Sequence, residues 1–359
     1  MAAKFTHIEA LKQSMELLEH GDEEQQALAD QLHDRSLFRF ACLGAIAPDV
    51  FYFYHIFSRR KNALGLEWGN RAHHQKVFEL LIHFMDQIRA TPAGLERDRQ
   101  LAFVMGYLCH CGVDIVTHPY IFYITGDPYS DDPEGAWEAQ SHHLRVEFAL
   151  DSYLVHKRWG INPREYNFVK YLRGTDEVDE NNRRVLDRDV WRLWVRGLEK
   201  TFPADFERDY PGSSKEVRPG DLVNESYFGF LRFNSVTDVR SRVIRFLMYL
   251  IDWLTFRKLR IRYLILPNPK RIDPRLPNEA GAEWKFPAEP GRVSKESFME
   301  LVHRAARFSA KLMTDGKAYI DGDMKRGEFE KAYLGFNLDT GVRSASLAMQ
   351  AFDPIRDED

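Results

Sequence analysis

The sequence of 359 residues contains only three cysteines, Cys42, Cys109 and Cys111. This number is too small for a disulfide framework and is typical of a reducing compartment. The most apolar stretch of the later part of the chain, 243–266, contains six charged residues. A membrane-spanning helix needs about 20 mostly apolar residues. We therefore predict no transmembrane segment, and expect 243–266 to form a buried or surface-lying helix, with the core as the favoured place.

The charges of the chain nearly cancel. Fifty lysines and arginines face 54 acidic residues, which gives a formal net charge of −4. Nucleic-acid binding through a general basic surface needs many neutralised phosphates, so the charge argues against it. Residues 1–19 carry a charge every few positions and lack the apolar core of a secretory signal. We therefore expect a cytoplasmic protein.

Apolar residues recur at steps of three and four over most of the chain, whereas alternating strand patterns are scarce. These patterns predict an all-α protein. We expect a helical core over 1–160, with further helices over 161–352 packing on the same domain. A Pro-rich loop should interrupt them at 267–292, and 353–359 should form a polar tail.

Two helix boundaries are expected near polar residues of interest. Pro48 disfavours helical geometry at the residue before it, so a break should fall just before Asp49. A helix is predicted over about 70–89, and the pair His73-His74 should open it.

Two further boundaries follow from proline and serine. A long buried helix should begin at Leu95 and be stopped by Pro119, which would leave His118 in non-helical geometry. The last helix is predicted over 294–313, and Ser294 can cap it.

Histidines are distributed very unevenly. Twelve of the thirteen precede residue 157, and only His303 lies in the rest of the chain. Histidines kept for packing or solubility would be spread more evenly, so the clustering indicates a site within the first 156 residues. These histidines are His7, His20, His33, His55, His73, His74, His83, His110, His118, His142, His143 and His156.

The strongest local pattern lies in the segment 106–119. His110, Asp114 and His118 follow one another at steps of four, and on a helix each such step turns the side chain by only ~40°. All three can therefore point to one side. Imidazole and carboxylate are ligands that zinc accepts readily, and the apolar neighbours of these residues would leave them buried and in need of a partner.

A second helix repeats the arrangement with His143 and Glu147. Asp151 continues the row and could orient a ligand, and His142 is an alternative to His143. Pairs of this type at i and i+4 are often plain hydrogen bonds on a helix surface. Two such helices within 40 residues favour a metal site, which makes 1–160 a metal-binding core.

Single candidates complete the set. Asp49 lies in an unusually apolar stretch, so it could be a metal ligand, a general base, or the N-cap of the aromatic segment after it. His73 and His74 are adjacent and point in different directions, so only one of them should serve as a ligand. His7 would, taken alone, more often be structural.

Gly44 to Asp49, the 106–119 segment and His143-x-x-x-Glu147 together resemble the bacterial zinc-dependent phospholipase C family, which is related to the S1/P1-type nucleases. The order of the motifs matches over 5–157 and is weaker afterwards. The resemblance implies an all-helical bundle with two or three zinc ions in a cleft. It also implies hydrolysis of a phosphoester, with a phospholipid as one candidate substrate. Peripheral membrane contact is a further option, which the apolar stretch 243–256 and the basic residues after it provide.

Carried over position by position, the resemblance assigns roles to eight residues. His73, His110 and Asp114 would hold one zinc ion, Asp114 and His7 a second, and His118, His143 and Glu147 a third. Asp49 would lie beside the bridging water as base or orienter. Secreted members use the amino group of a processed N-terminal Trp as a further ligand, whereas this chain starts Met-Ala-Ala, which puts the His7 ion in question. The spacing from Asp114 to His118 is also shorter than in secreted members.

Other functional classes fit less well. His33-Asp34 matches the His–Asp pair of another helical phosphohydrolase class, but it lies at a helix end and is expected to be a surface pair. A ferritin-like di-iron centre needs two Glu-x-x-His motifs, and only Glu300 and His303 provide one. A non-catalytic module remains as the alternative, with the basic residues that follow 243–256 lying on a membrane surface or with a protein partner. Metal content would distinguish it from an enzyme.

Overall fold

The computed structural model describes residues 4–237, 242–256 and 265–356. Within these ranges, fourteen α-helices and two small antiparallel hairpins form the protein, which confirms the all-α prediction. The helices are α1 Lys4–Glu19, α2 Glu23–His33, α3 Arg35–Gly44, α4 Ala47–Val50, α5 Arg59–His74, α6 Val77–Ala90, α7 Leu95–Thr125, α8 Pro133–Trp159, α9 Arg188–Thr201, α10 Pro203–Asp209, α11 Leu222–Thr237, α12 Arg242–Leu254, α13 Phe298–Asp321 and α14 Arg326–Tyr333. The strands are β1 Asp176–Val178, β2 Arg184–Leu186, β3 Trp284–Phe286 and β4 Glu289–Ser294.

The 31-residue helix α7 is the centre of the bundle. It packs against α1, α3, α6, α8, α9 and α13, and nearly all of its residues are buried. By length and composition it could cross a membrane, as could α3 together with the bent segment 47–53, but in this fold the most apolar 18-residue stretch of α7 is fully buried inside the protein. An apolar helix covered on all sides is typical of the core of a large helical domain.

Helices α3 and α7 cross in backbone contact. A Cβ atom added at Gly106 would lie 1.9 Å from the carbonyl oxygen of Ala41, and one added at Gly44 would lie 1.9 Å from the carbonyl oxygen of Phe103. Only glycine fits such a crossing. The close approach brings the turn after α3 next to the middle of α7, where the candidate ligands lie.

Two of the predicted boundaries in the first half are wrong. The break near Pro48 falls earlier, at residues 45–46, because proline fits the first turn of a helix and here belongs to α4. His73 and His74 close α5 instead of opening a helix, and the left-handed residue Lys76 separates them from α6.

Pro119 does not stop α7, which continues to Thr125, so His118 is helical. The carbonyl of Ile115, which cannot accept a hydrogen bond from Pro119, lies against Gly341, where an added Cβ would be 2.5 Å from it. The cap of the last long helix is Ser297, which forms a reciprocal capping box with Glu300.

The proline-rich stretch 267–292 is ordered, and much of the hairpin β3–β4 lies within it. Trp284 of β3 packs its ring 5.2 Å from that of Tyr120 in α7. The described part of the polar tail also binds α7, since the amides of Asp353 and Ile355 donate to the carbonyls of Tyr123 and Ile124 at 2.8 and 2.9 Å. These contacts close the C-terminal end of α7.

Helix α12 corrects the expected core position of 243–266. Between 243 and 256, the described side chains that are buried are Arg245, Met248 and Asp252, and the large apolar ones face outward. The basic residues predicted to follow this helix lie outside the described part of the chain.

Candidate metal centre

Five helices bring the eight predicted residues to one buried place beside the middle of α7. Each of the eight is less than one-tenth exposed. They are His7 on α1, Asp49 on α4, His73 on α5, His110, Asp114 and His118 on α7, and His143 and Glu147 on α8.

Asp114 lies between His7 and His110. Its Oδ2 atom is 2.9 Å from His110 Nε2, and its Oδ1 atom is 3.4 Å from His7 Nε2. The rings of His7 and His110 are stacked with their centroids 4.2 Å apart. The ligand atoms of these three residues are within 4.8 Å of one another, which is close enough to share one metal ion.

Asp49 faces the same place from the other side. Its Oδ1 atom is 3.3 Å from His73 Nε2, and its carboxylate groups with His73 and His110 as a second possible set of ligands. The resemblance had placed Asp114 in this set and Asp49 beside it as base. Asp114 Oδ2 is 3.8 Å from His73 Nε2. The carboxylates of Asp49 and Asp114 therefore both lie near the imidazoles of His73 and His110.

His118, His143 and Glu147 form the third group, the same set that the resemblance implies. Glu147 Oε1 is 3.2 Å from His143 Nε2 and 3.7 Å from His118 Nε2. His118 Nε2 is also 3.5 Å from Asp114 Oδ1, so Asp114 borders every group. Because α7 stays helical through Pro119, His118 remains one turn beyond Asp114 and on the same face.

Backbone carbonyls fix the orientation of two imidazole rings. His110 Nδ1 donates to the carbonyl of Ala45 at 2.9 Å, in the turn between α3 and α4, and His73 Nδ1 donates to Gly69 at 2.7 Å. A proton held at Nδ1 leaves Nε2 with its lone pair directed at the carboxylates. Metal-binding histidines are typically held in this way.

Sequence reasoning missed Asp339, which lies after the last helix. Its Oδ1 atom is 3.2 Å from His118 Nδ1, and its Oδ2 atom is 2.5 Å from His74 Nε2. Tyr129 also donates its hydroxyl proton to Asp339. His74 therefore contacts Asp339 instead of the ligand groups, which leaves His73 as the member of the pair that faces them. No motif surrounds Asp339, so the sequence offered no signal for it.

Asp151 and His142 have different places from the eight. Asp151 accepts hydrogen bonds from the amides of Phe5 and Thr6 and from the Thr6 hydroxyl, and so caps the start of α1, which carries His7. Burial raises the pKa of Asp151 to about 7. His142 lines a separate surface cavity of about 400 Å³ next to α8.

The electrostatics of the site favour a bound cation. Burial, followed by the neighbouring His110, lowers the pKa of His7 to about 4, so this ring is neutral at pH 7. Burial opposes charge on Asp114, yet the imidazoles of His110, His118 and His7 hold the pKa of this carboxyl below its usual range. Although burial opposes it, the neighbouring carboxylates raise the pKa of His110 and of His118, so the cluster attracts positive charge. A divalent metal bound by the deprotonated imidazoles can supply that charge in place of the protons.

Some of these buried polar atoms lack a protein partner. Within the described residues, Asp49 Oδ2, His7 Nδ1 and His143 Nδ1 have no hydrogen bond. An unpaired buried polar atom costs about 1–3 kcal/mol, so several of them in one place would be costly without a ligand. The donor set of imidazoles and carboxylates fits zinc.

A family model described as zinc-dependent phospholipase C matches residues 6–208. The chain belongs to the zinc-dependent phospholipase C family. The recognition made from the sequence is thereby confirmed. The chain has no significant match among curated proteins or solved structures. The matched range contains all eight candidate ligands, whereas Asp339 lies beyond it.

Membership of this family supports the assignment of the protein as a hydrolase, and more narrowly as a zinc-dependent phosphoesterase.

Features that had suggested other classes of protein have structural explanations. Asp34 caps α3, His33 pairs with Glu19 near the surface, and Glu300 belongs to the capping box of α13.

Proposed function

We propose that this protein hydrolyses a phosphodiester bond with zinc ions held by the three ligand groups. The observation that carries the proposal is the convergence of buried imidazoles and carboxylates from five helices on one place. A fold stabilised only by packing would not bury so many titratable groups together, because each costs desolvation free energy.

The three groups give each ion a place. His7, His110 and Asp114 would hold one, Asp49, His73 and His110 a second, and His118, His143 and Glu147 the third. Because His110 appears in two groups, two or three ions are possible, and Asp114 is placed to be shared between neighbours. Asp339 would keep the His118 ring in position through Nδ1.

When bound, clustered zinc neutralises the charge that develops on the phosphoryl oxygens and lowers the pKa of water, so that a nucleophilic hydroxide is available at neutral pH. In the proposed reaction, the oxygen of a water molecule bonds to phosphorus and the P–O bond to the alcohol breaks. The products are the free alcohol and a phosphomonoester. Asp49 is the group placed to orient that water and hold its proton, because Oδ1 faces His73 and Oδ2 has no hydrogen-bond partner in the described residues.

For the substrate, we propose a phospholipid cleaved on the glycerol side of its phosphate. The family supports a substrate of the phospholipid type. We also propose a cytoplasmic location, which the three buried and unpaired cysteines support.

The proposal is tested by assaying zinc-loaded protein against a panel of soluble phosphodiesters and short-chain phospholipids, with phosphomonoester and diacylglycerol as the measured products. We expect cleavage of at least one diester. An Asp49→Asn variant should keep the zinc held by His118, His143 and Glu147 but turn over at least about 100-fold more slowly, because it loses both a candidate ligand and the proposed orienter of the water. The exposed residue Asp323 provides a matched Asp→Asn control, for which no change is expected.

A protein that binds zinc but cleaves none of these substrates would contradict the proposed reaction. Equal activity of the Asp49→Asn variant would contradict the role of Asp49 alone.

A second candidate is a non-catalytic module that binds a membrane, and the outward apolar face of α12 favours it. Metal analysis separates the two, because the enzyme requires two or three zinc ions per chain and the module requires none. The presence of a continuous buried ligand cluster supports the enzyme.

A further inference from the structure

Helix α12 has an inverted distribution of side chains. Arg245, Met248 and Asp252 lie at steps of three and four and form its buried side, where Arg245 donates to the carbonyl of Leu266 at 3.0 Å. The outer side holds large apolar residues that include Trp253, which is 71% exposed, and Phe246, which is 65% exposed. A helix on a protein surface normally turns its apolar side inward.

This exposure is concentrated at one place. Nine of the nineteen exposed large hydrophobic residues among those described lie between 243 and 256. Single exposed apolar residues are ordinary, whereas a contiguous group marks a surface that binds something. The nine residues, which we call the α12 face, are Val243, Ile244, Phe246, Leu247, Tyr249, Ile251, Trp253, Leu254 and Phe256.

Charge indicates what this surface binds. The α12 face carries no acidic residue, since Asp252 is buried on the opposite side. In the sequence, residues 239–264 contain six arginines and lysines besides the buried Arg245, and their single acidic residue is the buried Asp252, although the whole chain has a net charge of −4. An apolar face with tryptophan and tyrosine and a local excess of basic residues is complementary to a bilayer that contains anionic lipids.

The chain on both sides of α12 is attached to the helices that carry the candidate ligands. Asn234 of α11 contacts Lys4 of α1, the helix of His7. After the segment 257–264, the carbonyl of Pro267 accepts a hydrogen bond from Ser152 of α8 at 2.8 Å, and α8 carries His143 and Glu147. Binding through α12 would therefore tether the helices that carry the candidate ligands to the same membrane.

We propose that the α12 face lies on an anionic phospholipid membrane as an interfacial helix. Aromatic and aliphatic side chains would enter the boundary between head groups and acyl chains, and the basic residues near α12 in the sequence would add attraction to anionic head groups. Binding of the α12 face to a membrane does not require catalysis, so this proposal can be tested separately from the proposed hydrolysis.

The test is flotation of the full zinc-loaded chain with vesicles of phosphatidylcholine alone or mixed with an equal amount of phosphatidylglycerol. We expect binding to the mixed vesicles that weakens with salt, and a Phe246→Ser/Trp253→Ser variant that binds at least about tenfold more weakly. The control variant Leu17→Ser/Leu95→Ser removes two exposed apolar side chains from α1 and α7 and should bind like the wild type.

Circular dichroism melting and zinc content check that both variants are folded. Hydrolysis of a soluble diester should be equal in all three proteins, because the α12 face holds no candidate ligand. A wild type that binds vesicles but does not hydrolyse the soluble diester would contradict the proposed reaction without contradicting the proposed role of the α12 face.

Three results would overturn the proposal. The first is equal binding of the Phe246→Ser/Trp253→Ser variant to mixed vesicles, and the second is equal binding of the wild type to both kinds of vesicle. The third is a wild type that binds no vesicles but forms a dimer that the variant cannot form. That outcome would assign the α12 face to contact between two copies of the chain.

Discussion

Helices α7 and α12 are both apolar, yet they occupy opposite positions. The long helix α7 is buried from Gln100 to its end, except at Tyr123, and keeps polar residues at its middle, where other helices bring further candidate ligands. In α12 the apolar residues face outward and the polar Arg245 and Asp252 face inward. The share of apolar residues in a helix therefore does not tell where the helix lies. In both cases the residues that violate the usual distribution carry our functional proposals, a candidate metal centre in one helix and a proposed membrane-docking face in the other.

The largest expected effect comes from removing the polar centre of α7. The double variant His110→Ala/Asp114→Asn deletes ligands that appear in two of the three groups. We expect it to lose most of its zinc and to turn over on the order of 10³-fold more slowly, because the metals supply several kcal/mol of charge stabilisation. Metal analysis after gel filtration measures the first effect.

The matched control is His303→Ala, which removes an exposed histidine far from the ligand groups in sequence. It should keep the wild-type zinc content. Full metal retention in the double variant would show that the assignment of ligands to α7 is wrong.

A smaller effect is expected from filling the crossing of α7 with α3. Gly106→Ala places a methyl group 1.9 Å from the Ala41 carbonyl, so the two helices must separate. We expect the free energy of unfolding to fall by about 1–3 kcal/mol or more, and zinc affinity to fall as the Ala45 carbonyl moves away from His110. Urea unfolding provides the measurement.

Gly327 in α14 has open space around an added Cβ, so Gly327→Ala is the matched control. It should leave stability unchanged or raise it by up to about 1 kcal/mol. Equal effects of both substitutions would mean that the crossing tolerates a side chain.

Asp339 tests whether the C-terminal segment supports the His118 ring. Asp339→Asn keeps the size of the side chain and removes its charge, so we expect zinc affinity to fall by about 10–100-fold. Competition with a fluorescent chelator measures it, with Asp323→Asn as the exposed control. Unchanged zinc affinity in both variants would show that Asp339 does not support the metal centre.

Asp151 supports the site from the start of α1. Asp151→Ala removes the acceptor of two backbone amides, and we expect the free energy of unfolding to fall by about 1–2 kcal/mol. The eight candidate ligands remain, so zinc content at saturation should not change. A loss of zinc at saturation would instead show that Asp151 acts on the centre directly.

The smallest effect on stability is expected for the outer side of α12. Trp253→Ser removes a side chain that is already largely in water, so the free energy of unfolding should change by no more than about 0.5 kcal/mol. Phe103→Ser, which removes a fully buried aromatic side chain of α7, should cost several kcal/mol and provides the contrast. If both variants lost a comparable amount of unfolding free energy, Trp253 would have to be buried in the folded protein.

Much of the centre could be predicted because its ligands repeat at helical spacing. His110, Asp114 and His118 share a face for that reason, and so do His143 and Glu147. The assignment of Asp49 could not be predicted in detail, because the way α4 turns toward His73 depends on the crossing of α3 with α7. Asp339 could not be predicted at all, because it reaches His118 from a part of the chain without any regular pattern.

The errors in helix boundaries have local causes. Proline lacks an amide proton but fits a first helical turn, which explains the position of Pro48. Where α7 passes through Pro119, Gly341 packs closely against Pro119 and the carbonyl of Ile115, a contact that only the folded chain reveals. Helix α5 has no continuous apolar stripe and contains two glycines, so periodicity did not predict it as a separate helix, and the expected helix over 70–89 joined the end of α5 to α6. The core position expected for α12 was wrong for a related reason. An apolar pattern shows that one side of a helix is apolar, but it does not show whether that side faces the core or the solvent.

The contact of Asp339 with His118 and His74 also has a consequence for synthesis of the protein. Asp339 and His74 are separated by 265 positions in the chain. A ribosome therefore makes every predicted ligand long before it makes the residue that contacts His118 Nδ1. The contacts of Asp339 can form only after residue 339 has been made, so a nascent chain that captured zinc earlier would do so with its ligands still free to rearrange.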